Sequence, residues 1–327
     1  MLLIIDNTLT AFDEALPSKE ELYLFCELLL TIGVDIIELS TAAYEKIEHL
    51  PDNGKYILNI TSMDAIERYP GFHKYTCRHK EFDDRVVPEI QINDPREIMK
   101  LKLLQGCKEL RIVGLDGILC HSYEKIMRDL VRTLAGSSII FCPENHYHCA
   151  SALAVLWLTE YGNKITTSFA GHKNNAATEE VIMAMRLSVR RKPNSNLTVL
   201  PQLSELYEKF SGRTIRNKKP ILGKNIFHVE AGIHADGIMK NPTTYEAYSP
   251  STVGQKSELV IGKHSGSKAV RLKLEEMQLP ILGEEDITLI LHRVKHVCTN
   301  HRSSLSNSEF AGIVREVANG ERSQTYR

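Results

Sequence analysis

Strand-like and helical segments alternate through the first half of the chain, and this alternation constrains the fold more than any other feature. Eight apolar, strand-like runs occur within about 170 residues, with helical stretches between several of them, for example at residues 95–104. Strands that alternate with helices indicate a parallel sheet, and eight of them favour an α/β fold with a closed (β/α)8 barrel of the TIM type. The short spacing predicts trimmed loops. The runs are residues 2–5, 34–39, 56–60, 73–77, 88–92, 109–113, 138–142 and 164–169.

A change of composition after Arg190 predicts the end of the barrel. Residues 191–196 read R-K-P-N-S-N, which is polar and unfavourable for a helix. We therefore expect a barrel over residues 1–192 and a smaller second region over residues 193–327. Within the second region, residues 220–266 lack periodicity and are predicted to form an ordered loop region, whereas the tail from Glu284 has a helical pattern.

The charge and cysteine content exclude several classes of protein. The 327 residues carry 40 Lys+Arg and 41 Asp+Glu, a formal net charge of -1, which argues against a dedicated nucleic-acid binder. None of the apolar runs is long enough to span a membrane, and the opening M-L-L-I-I-D is too short for a signal peptide. Seven scattered cysteines without CxxC spacing indicate free thiols in a reducing cytoplasm.

The residues with the clearest chemical potential lie between 220 and 266. Two histidines and two carboxylates fall in one short span, at His228, Glu230, His234 and Asp236, and Tyr245 follows eleven residues after His234. Because imidazole exchanges protons near neutral pH, His234 and Tyr245 are candidates for acid/base groups. His228 and His234 are alternatively candidates for metal ligands. Any single histidine in this stretch is also a candidate for a hydrogen-bonded structural residue.

Four motifs in this stretch resemble the linker subdomain of the homocitrate synthase and 2-isopropylmalate synthase family. Residues 227–237 read F-H-V-E-A-G-I-H-A-D-G, and 240–246 read K-N-P-T-T-Y-E. Val253-Gly254 and then G-K-H-S-G at 262–266 follow in the family order. Val229 stands where the family has its first histidine. The resemblance implies catalytic roles for His234, Tyr245 and Glu230, and contacts to substrate or CoA from Lys263, His264 and Ser265.

The barrel half resembles the same family but departs from it at the residues that carry its chemistry. The family motif D-T-T-L-R-D-G-E-Q corresponds here to D-N-T-L-T-A-F-D-E, so that Thr10 replaces the substrate Arg and Ala11 replaces the metal-binding Asp. A methyl group offers a cation no oxygen donor. The family's two metal histidines are expected at Pro143 and Asn145. The remaining weak metal candidates are His146, His148 and Asn175.

The resemblance implies a transferase that condenses acetyl-CoA with a 2-oxo acid, as a cytoplasmic hetero-oligomer. The pattern is most similar to the omega-type chain of a split, nitrogen-fixation homocitrate synthase, whose homologous catalytic alpha subunit would carry the divalent metal. This chain would bind no cofactor alone and would donate acid/base residues in trans. Two alternatives remain: a non-catalytic structural or regulatory paralogue that binds a homologous synthase, and a self-sufficient synthase with an altered metal site.

Overall fold

The structure is a computed structural model that describes residues 2–12, 16–78, 83–104, 106–115, 117–118, 122–191 and 195–320. The chain divides into two compact units, Met1–Gly223 and Lys224–Arg327, and each is described separately below. No helix among the described residues has both the length and the apolar character that crossing a bilayer requires.

Eight parallel strands in the described part of the first unit form a closed barrel, which confirms the predicted (β/α)8 fold. Each strand pairs with the next along the chain, and β8 pairs with β1, with Ile4 opposite Ile165. The strands are β1 (Leu3–Asp6), β2 (Ile36–Ser40), β3 (Tyr56–Asn59), β4 (Lys74–Cys77), β5 (Val86–Ile92), β6 (Glu109–Gly114), β7 (Ser138–Pro143) and β8 (Lys164–Thr167). All eight lie within a few residues of the apolar runs from which they were predicted.

The helices around the barrel are short, as the spacing of the strands predicts. Those of the first unit are α1 (Lys19–Thr31), α2 (Thr41–Ile47), α3 (Asp64–Arg68), α4 (Tyr123–Thr133), α5 (Ala150–Leu156), α6 (Thr178–Leu187) and α7 (Leu200–Ser211). Ser18 caps α1 and forms a capping box with Glu21. Residues Pro95–Leu104 form a 3-10 helix in place of the helix expected there. Its buried residues, Ile98 and Leu101, are three positions apart, which matches the three-residue turn of a 3-10 helix.

The barrel interior is layered because alternate side chains of each strand point inward. One buried cluster consists of Ile5, Ile36, Ile57, Val87 and Ile140. Two residues further along these strands, toward their carboxyl ends, the inward positions are polar or charged and include Glu38, Asn59, Glu89 and Cys142. An apolar layer therefore supports a polar layer, and the polar layer faces the mouth of the barrel.

The first unit extends past the boundary expected at residues 192/193 and ends at Gly223. Helix α7 packs on α1, where the rings of Phe25 and Phe210 have centroids 5.3 Å apart. Tyr207 of the same helix has its hydroxyl 2.9 Å from Nδ1 of His172. Helix α7 thus belongs to the first unit, because its apolar face is buried against the barrel helices.

The second unit is mainly helical. It contains two short parallel strands, β9 (His228–Val229) and β10 (Glu258–Leu259). Its helices are α8 (Gly232–Lys240), α9 (Pro242–Tyr245), α10 (Ser267–Glu276), α11 (Glu284–His301) and α12 (Asn307–Ala318). Helices α8 and α9 fall in the stretch predicted as an ordered loop region. The pattern missed α8 because only Gly232 of its nine residues is buried, so the helix has no buried apolar stripe.

Candidate active site

A polar cavity of about 460 Å³ opens at the carboxyl ends of the barrel strands, the end at which barrel enzymes place their active sites. The side chains and backbone of successive strand ends line it: Asn7, Thr10, Glu38, Asn59, Ile60, Thr61, Arg78, Glu89, Gln91, Val113, Cys142, Glu144, Lys173 and Asn175. Three carboxylates and two basic side chains are among them. The mouth therefore carries charge of both signs.

A buried ion network forms the floor of this cavity. Nη2 of Arg111 lies 2.7 Å from Oε2 of Glu38, and Nη1 lies 2.9 Å from Oε2 of Glu89. Burial opposes the charge on Arg111, but the two carboxylates outweigh it and raise the pKa of the guanidinium. Burial likewise opposes the charge on Glu38, yet Arg111 holds the pKa of that carboxyl below its ordinary value. Arg111 is therefore paired with Glu38 and Glu89 below the cavity, and its side chain does not line the mouth.

At the corner where the family resemblance places an arginine, the cation is Lys173. The hydroxyl of Thr10 donates to the backbone oxygen of Asn7 at 2.8 Å. Lys173 reaches this turn from the loop after β8, and its Nζ donates to the backbone oxygen and to Oγ1 of Thr10, the latter at 2.9 Å. A lysine ammonium is a point donor and lacks the fork with which arginine binds a carboxylate in two places. The sequence pattern gave no signal for this lysine because it follows Thr10 by 163 residues.

The inward positions at the end of β7 are Cys142 and Glu144, one residue earlier than Pro143 and Asn145, where the metal histidines were expected. Cys142 and Glu144 line the mouth, whereas Asn145 accepts a hydrogen bond from the backbone N–H of Ala150 at the start of α5. His146 and His148 are exposed in the turn before α5 and do not line the mouth. Of the three weak metal candidates, only Asn175 lies at the cavity.

The donors at the mouth do not fit a divalent cation. Burial raises the pKa of the Cys142 thiol to about 12, and a hard divalent cation prefers oxygen donors to sulfur. Glu144 accepts a hydrogen bond of 2.8 Å from Gln91, and Nδ2 of Asn175 donates to Oδ1 of Asn7 at 3.2 Å. No group of three His, Cys, Asp or Glu side chains suited to a metal occurs within the described ranges. Glu144 and Asn175 are therefore engaged with other side chains of the mouth.

Asp6, at the end of β1, is a buried carboxyl that was not among the candidate site residues predicted from the sequence. Burial raises its pKa to about 6, even though Thr178 and Thr8 donate hydrogen bonds that favour the charged form. Its position as the first Asp of the D-N-T-L segment is the signal that would have identified it. The carboxyl joins β1 to the start of α6, which places it among the supports of the mouth.

In the second unit, the structure brings together two of the three predicted catalytic residues. His234 lies on α8 and Tyr245 ends α9, and their ring centroids are 5.9 Å apart with an angle of 48° between the planes. Both side chains reach solvent, and Tyr245 is 49 % exposed. Ile233 and Met239 of α8 are 75 % and 64 % exposed. The imidazole and the phenol thus lie on an accessible surface formed by residues 232–245, which we call the α8–α9 face.

Glu230, the third predicted catalytic residue, holds the loop 262–266 in place. Its carboxylate accepts a hydrogen bond from the backbone N–H of His264, and its backbone oxygen accepts one of 3.0 Å from the hydroxyl of Ser265. The same hydroxyl accepts from the backbone N–H of Gly262 at 2.9 Å. Ser265 is 3 % exposed, whereas Lys263 and His264 are exposed, and contacts of the three residues with substrate or CoA stay a prediction.

The two remaining polar groups of this stretch also have partners. Nε2 of His228 lies 3.5 Å from Oε2 of Glu258, across the pair β9 and β10. Asp236 pairs with Lys240 at 2.9 Å and with Lys268 at 2.7 Å. Within the described residues, neither His228 nor His234 belongs to a group of three or more His, Cys, Asp or Glu side chains that could hold a metal ion.

The closed parallel barrel with a polar cavity at the carboxyl ends of its strands places the first unit in the class of (β/α)8 barrel proteins. The barrel resembles hydroxymethylglutaryl-CoA lyase from Pseudomonas aeruginosa, with a TM-score of 0.54 and 14 % identity over 65 % of this chain and 94 % of that one, a likeness of fold. Residues 221–302 match the family described as "Homocitrate synthase post-HMGL domain-like".

Two relatives extend the match over most of the chain. The chain is 36 % identical to "2-isopropylmalate synthase 2" of Caldanaerobacter subterraneus subsp. tengcongensis over 88 % of its own length and 75 % of that protein. It is 27 % identical to the "Homocitrate synthase, omega subunit" of Clostridium pasteurianum over 96 % of its own length and 95 % of that protein. The chain belongs to the homocitrate synthase and 2-isopropylmalate synthase family.

Proposed function

We propose that this chain is one subunit of a split acyltransferase that condenses acetyl-CoA with a 2-oxo acid, with 2-oxoglutarate as substrate and homocitrate as product. In this proposal it places His234 and Tyr245 at the active site of a homologous catalytic alpha subunit, and homocitrate serves the iron-molybdenum cofactor of nitrogen fixation. Family membership supports the reaction class. The similarity to a protein named as an omega subunit supports the division between two chains.

The exposed α8–α9 face is the observation that carries the proposal. A buried His–Tyr pair would be a structural contact, but this pair is open to solvent, and Met239 of α8 is 64 % exposed on the same helix. Tyrosine and methionine are enriched at surfaces that bind another protein. A partner that covers this face would remove water from both rings and place them in its own cavity.

The mouth of the barrel supports the same division of labour. Condensation requires that the 2-oxo acid be held and its carbonyl polarised, for which the family uses an arginine and a divalent metal. Here residue 10 is threonine and residue 11 is alanine. The charged groups of the mouth already have partners in the chain: Glu144 accepts a hydrogen bond from Gln91, Glu89 pairs with Arg111, and Lys173 donates to Thr10. We therefore assign the metal and the binding of the 2-oxo acid to the partner subunit, and acid/base chemistry to this chain.

The role of each ring follows from its chemistry. An imidazole takes up and releases protons near neutral pH, and a phenol donates a hydrogen bond or a proton to a developing oxyanion. The enolate of acetyl-CoA needs a base to form, and the new alkoxide needs an acid. His234 and Tyr245 supply one group for each step, and the 5.9 Å between their ring centroids leaves both within reach of one small substrate.

The test is an assay of CoA release from acetyl-CoA and 2-oxoglutarate, with this chain, a candidate alpha subunit, and the mixture. We expect activity of the mixture only, and a loss of about 100-fold or more for H234A, since general acid/base groups contribute roughly that much. His292→Ala, an exposed histidine on α11, is the matched control and should leave activity unchanged. Activity of the isolated chain would instead support a self-sufficient synthase. An active mixture that tolerates H234A would support a structural or regulatory paralogue.

A further inference from the structure

The ring of Tyr245 rests directly on the backbone of Gly237. A Cβ atom built on Gly237 would lie 2.5 Å from Cε2 and from Cζ of Tyr245, and 2.6 Å from its hydroxyl oxygen. Ordinary contacts of a Cβ atom begin at about 3.4 Å. The ring thus occupies the space that any side chain at position 237 would require.

Nothing in the backbone of α8 calls for glycine at this position. Gly237 is an interior residue of the helix and is not among the glycines with a positive φ angle. Glycine inside a helix is unfavourable relative to alanine because it loses more conformational entropy on folding. The reason for a glycine here is therefore the space above it, and Tyr245 fills that space.

The location of this space matters for His234. Residues three positions apart share one face of a helix, so Gly237 and His234 are neighbours on the surface of α8. A ring that packs against Gly237 is placed beside the imidazole, as the distance of 5.9 Å between the ring centroids shows. With a larger residue at 237, the phenol would stand further from the helix and from His234.

Gly232, at the start of the same helix, provides a contrast. A Cβ atom there would meet backbone atoms of α10, at 2.5 Å from the nitrogen of Ala269. Backbone cannot swing away, so Gly232 serves the packing of two helices. At Gly237 the obstructing atoms are the far end of one side chain, which can move without disturbing the helix.

We propose that Gly237 is a positioning residue that sets Tyr245 beside His234 on the α8–α9 face. The inference rests on the proposed function for its catalytic consequence, but its geometric part concerns this chain alone. In G237A the ring must withdraw by about 1 Å to reach ordinary contact. A displacement of that size in a catalytic group lowers turnover roughly 100-fold.

The geometric test uses the isolated full chain. The imidazole C–H resonances of His234, assigned with H234Q, report the ring current of Tyr245. We expect Y245A to shift them, G237A to shift them in the same direction, and the resonances of His292 to stay in place. The melting temperature of G237A should equal or exceed that of the unmodified chain, whereas G232A should lower it. Unchanged His234 resonances in G237A would overturn the proposal.

The catalytic test uses the mixture with the alpha subunit. We expect G237A to lower kcat with little change in KM, and to cause no further loss in the Y245A background, because the residue acts through the tyrosine. An equal loss in both backgrounds would overturn the positioning role. If H234A leaves the mixture fully active, the proposed function fails, and the resonances of the isolated chain still decide whether Gly237 positions the ring.

Discussion

Replacement of Arg111 by methionine tests the buried ion network at the floor of the polar cavity. Arg111 and Glu38 are each 1 % exposed and Glu89 is 13 % exposed at the side chain, so R111M leaves two carboxylates in the lumen without their cation. Breaking a buried ion pair by removing one partner costs about 3–5 kcal/mol. For a unit of this size we expect the melting temperature to fall by roughly 6–20 °C at pH 7.5.

The pH dependence separates this electrostatic cause from a loss of packing. In the unmodified chain the pKa of Glu38 is held low by Arg111 against the effect of burial, so its stabilising contribution is present above the unfolded pKa and is lost in acid. In R111M only the hydrogen bonds from Thr76 and Asn59 still oppose the effect of burial, so the pKa of Glu38 should rise. The variant should then be most impaired at neutral pH and should recover as the pH falls and Glu38 takes up a proton.

The assay is urea unfolding of both proteins from pH 5 to pH 8, followed by circular dichroism. E38Q/R111M is the control, because the double variant leaves one fewer buried charge and should unfold later than R111M at neutral pH. The reasoning is refuted if R111M stays within about 1 kcal/mol of the unmodified chain at pH 7.5, well below the cost of an unpaired buried charge. A deficit that does not vary with pH would show a packing effect instead.

Three further predictions concern single titratable groups. Because burial raises the pKa of Asp6 to about 6, its contribution to stability is lost as the pH rises from about 4 to 6, and D6N should remove roughly 3 kcal/mol of this pH dependence in urea unfolding. Burial lowers the pKa of His172 to about 4, so stability falls as the pH drops from about 6.5 toward 4; H172Q should flatten that decline in melting curves. With its pKa raised to about 12 by burial, Cys142 should resist a thiol reagent at pH 8 until urea is added, which peptide mapping would show; rapid labelling of the folded chain would contradict this.

The barrel could be predicted because its signal is local. Each strand is a short apolar run, and such a run can be recognised from its own residues without knowledge of the residues it contacts. The 3-10 helix Pro95–Leu104 was expected as an ordinary helix because the two forms differ by less than one residue per turn. Helix α8 left no apolar stripe to detect, since its exposed apolar side chains are not covered within the described part of its unit.

The candidate site could be predicted only in part, because most of its contacts join distant positions. Arg111 is 73 residues from Glu38 and 22 from Glu89, and no spacing rule links them. Which side chains of β7 point inward depends on the register of the strand. A change of register by one residue turns every side chain to the other face. The His–Tyr pair was identified because both residues lie in motifs, but their proximity depends on a glycine whose role only the structure displays.

The network of Arg111 has a consequence for how the first unit folds. Glu38 and Glu89 share one cation within the chain, at 2.7 and 2.9 Å, so part of the negative charge in the lumen is compensated as the barrel closes. Because the three residues lie on β2, β5 and β6, these ion pairs form only when distant strands come together, and they couple the charge of the lumen to closure of the barrel.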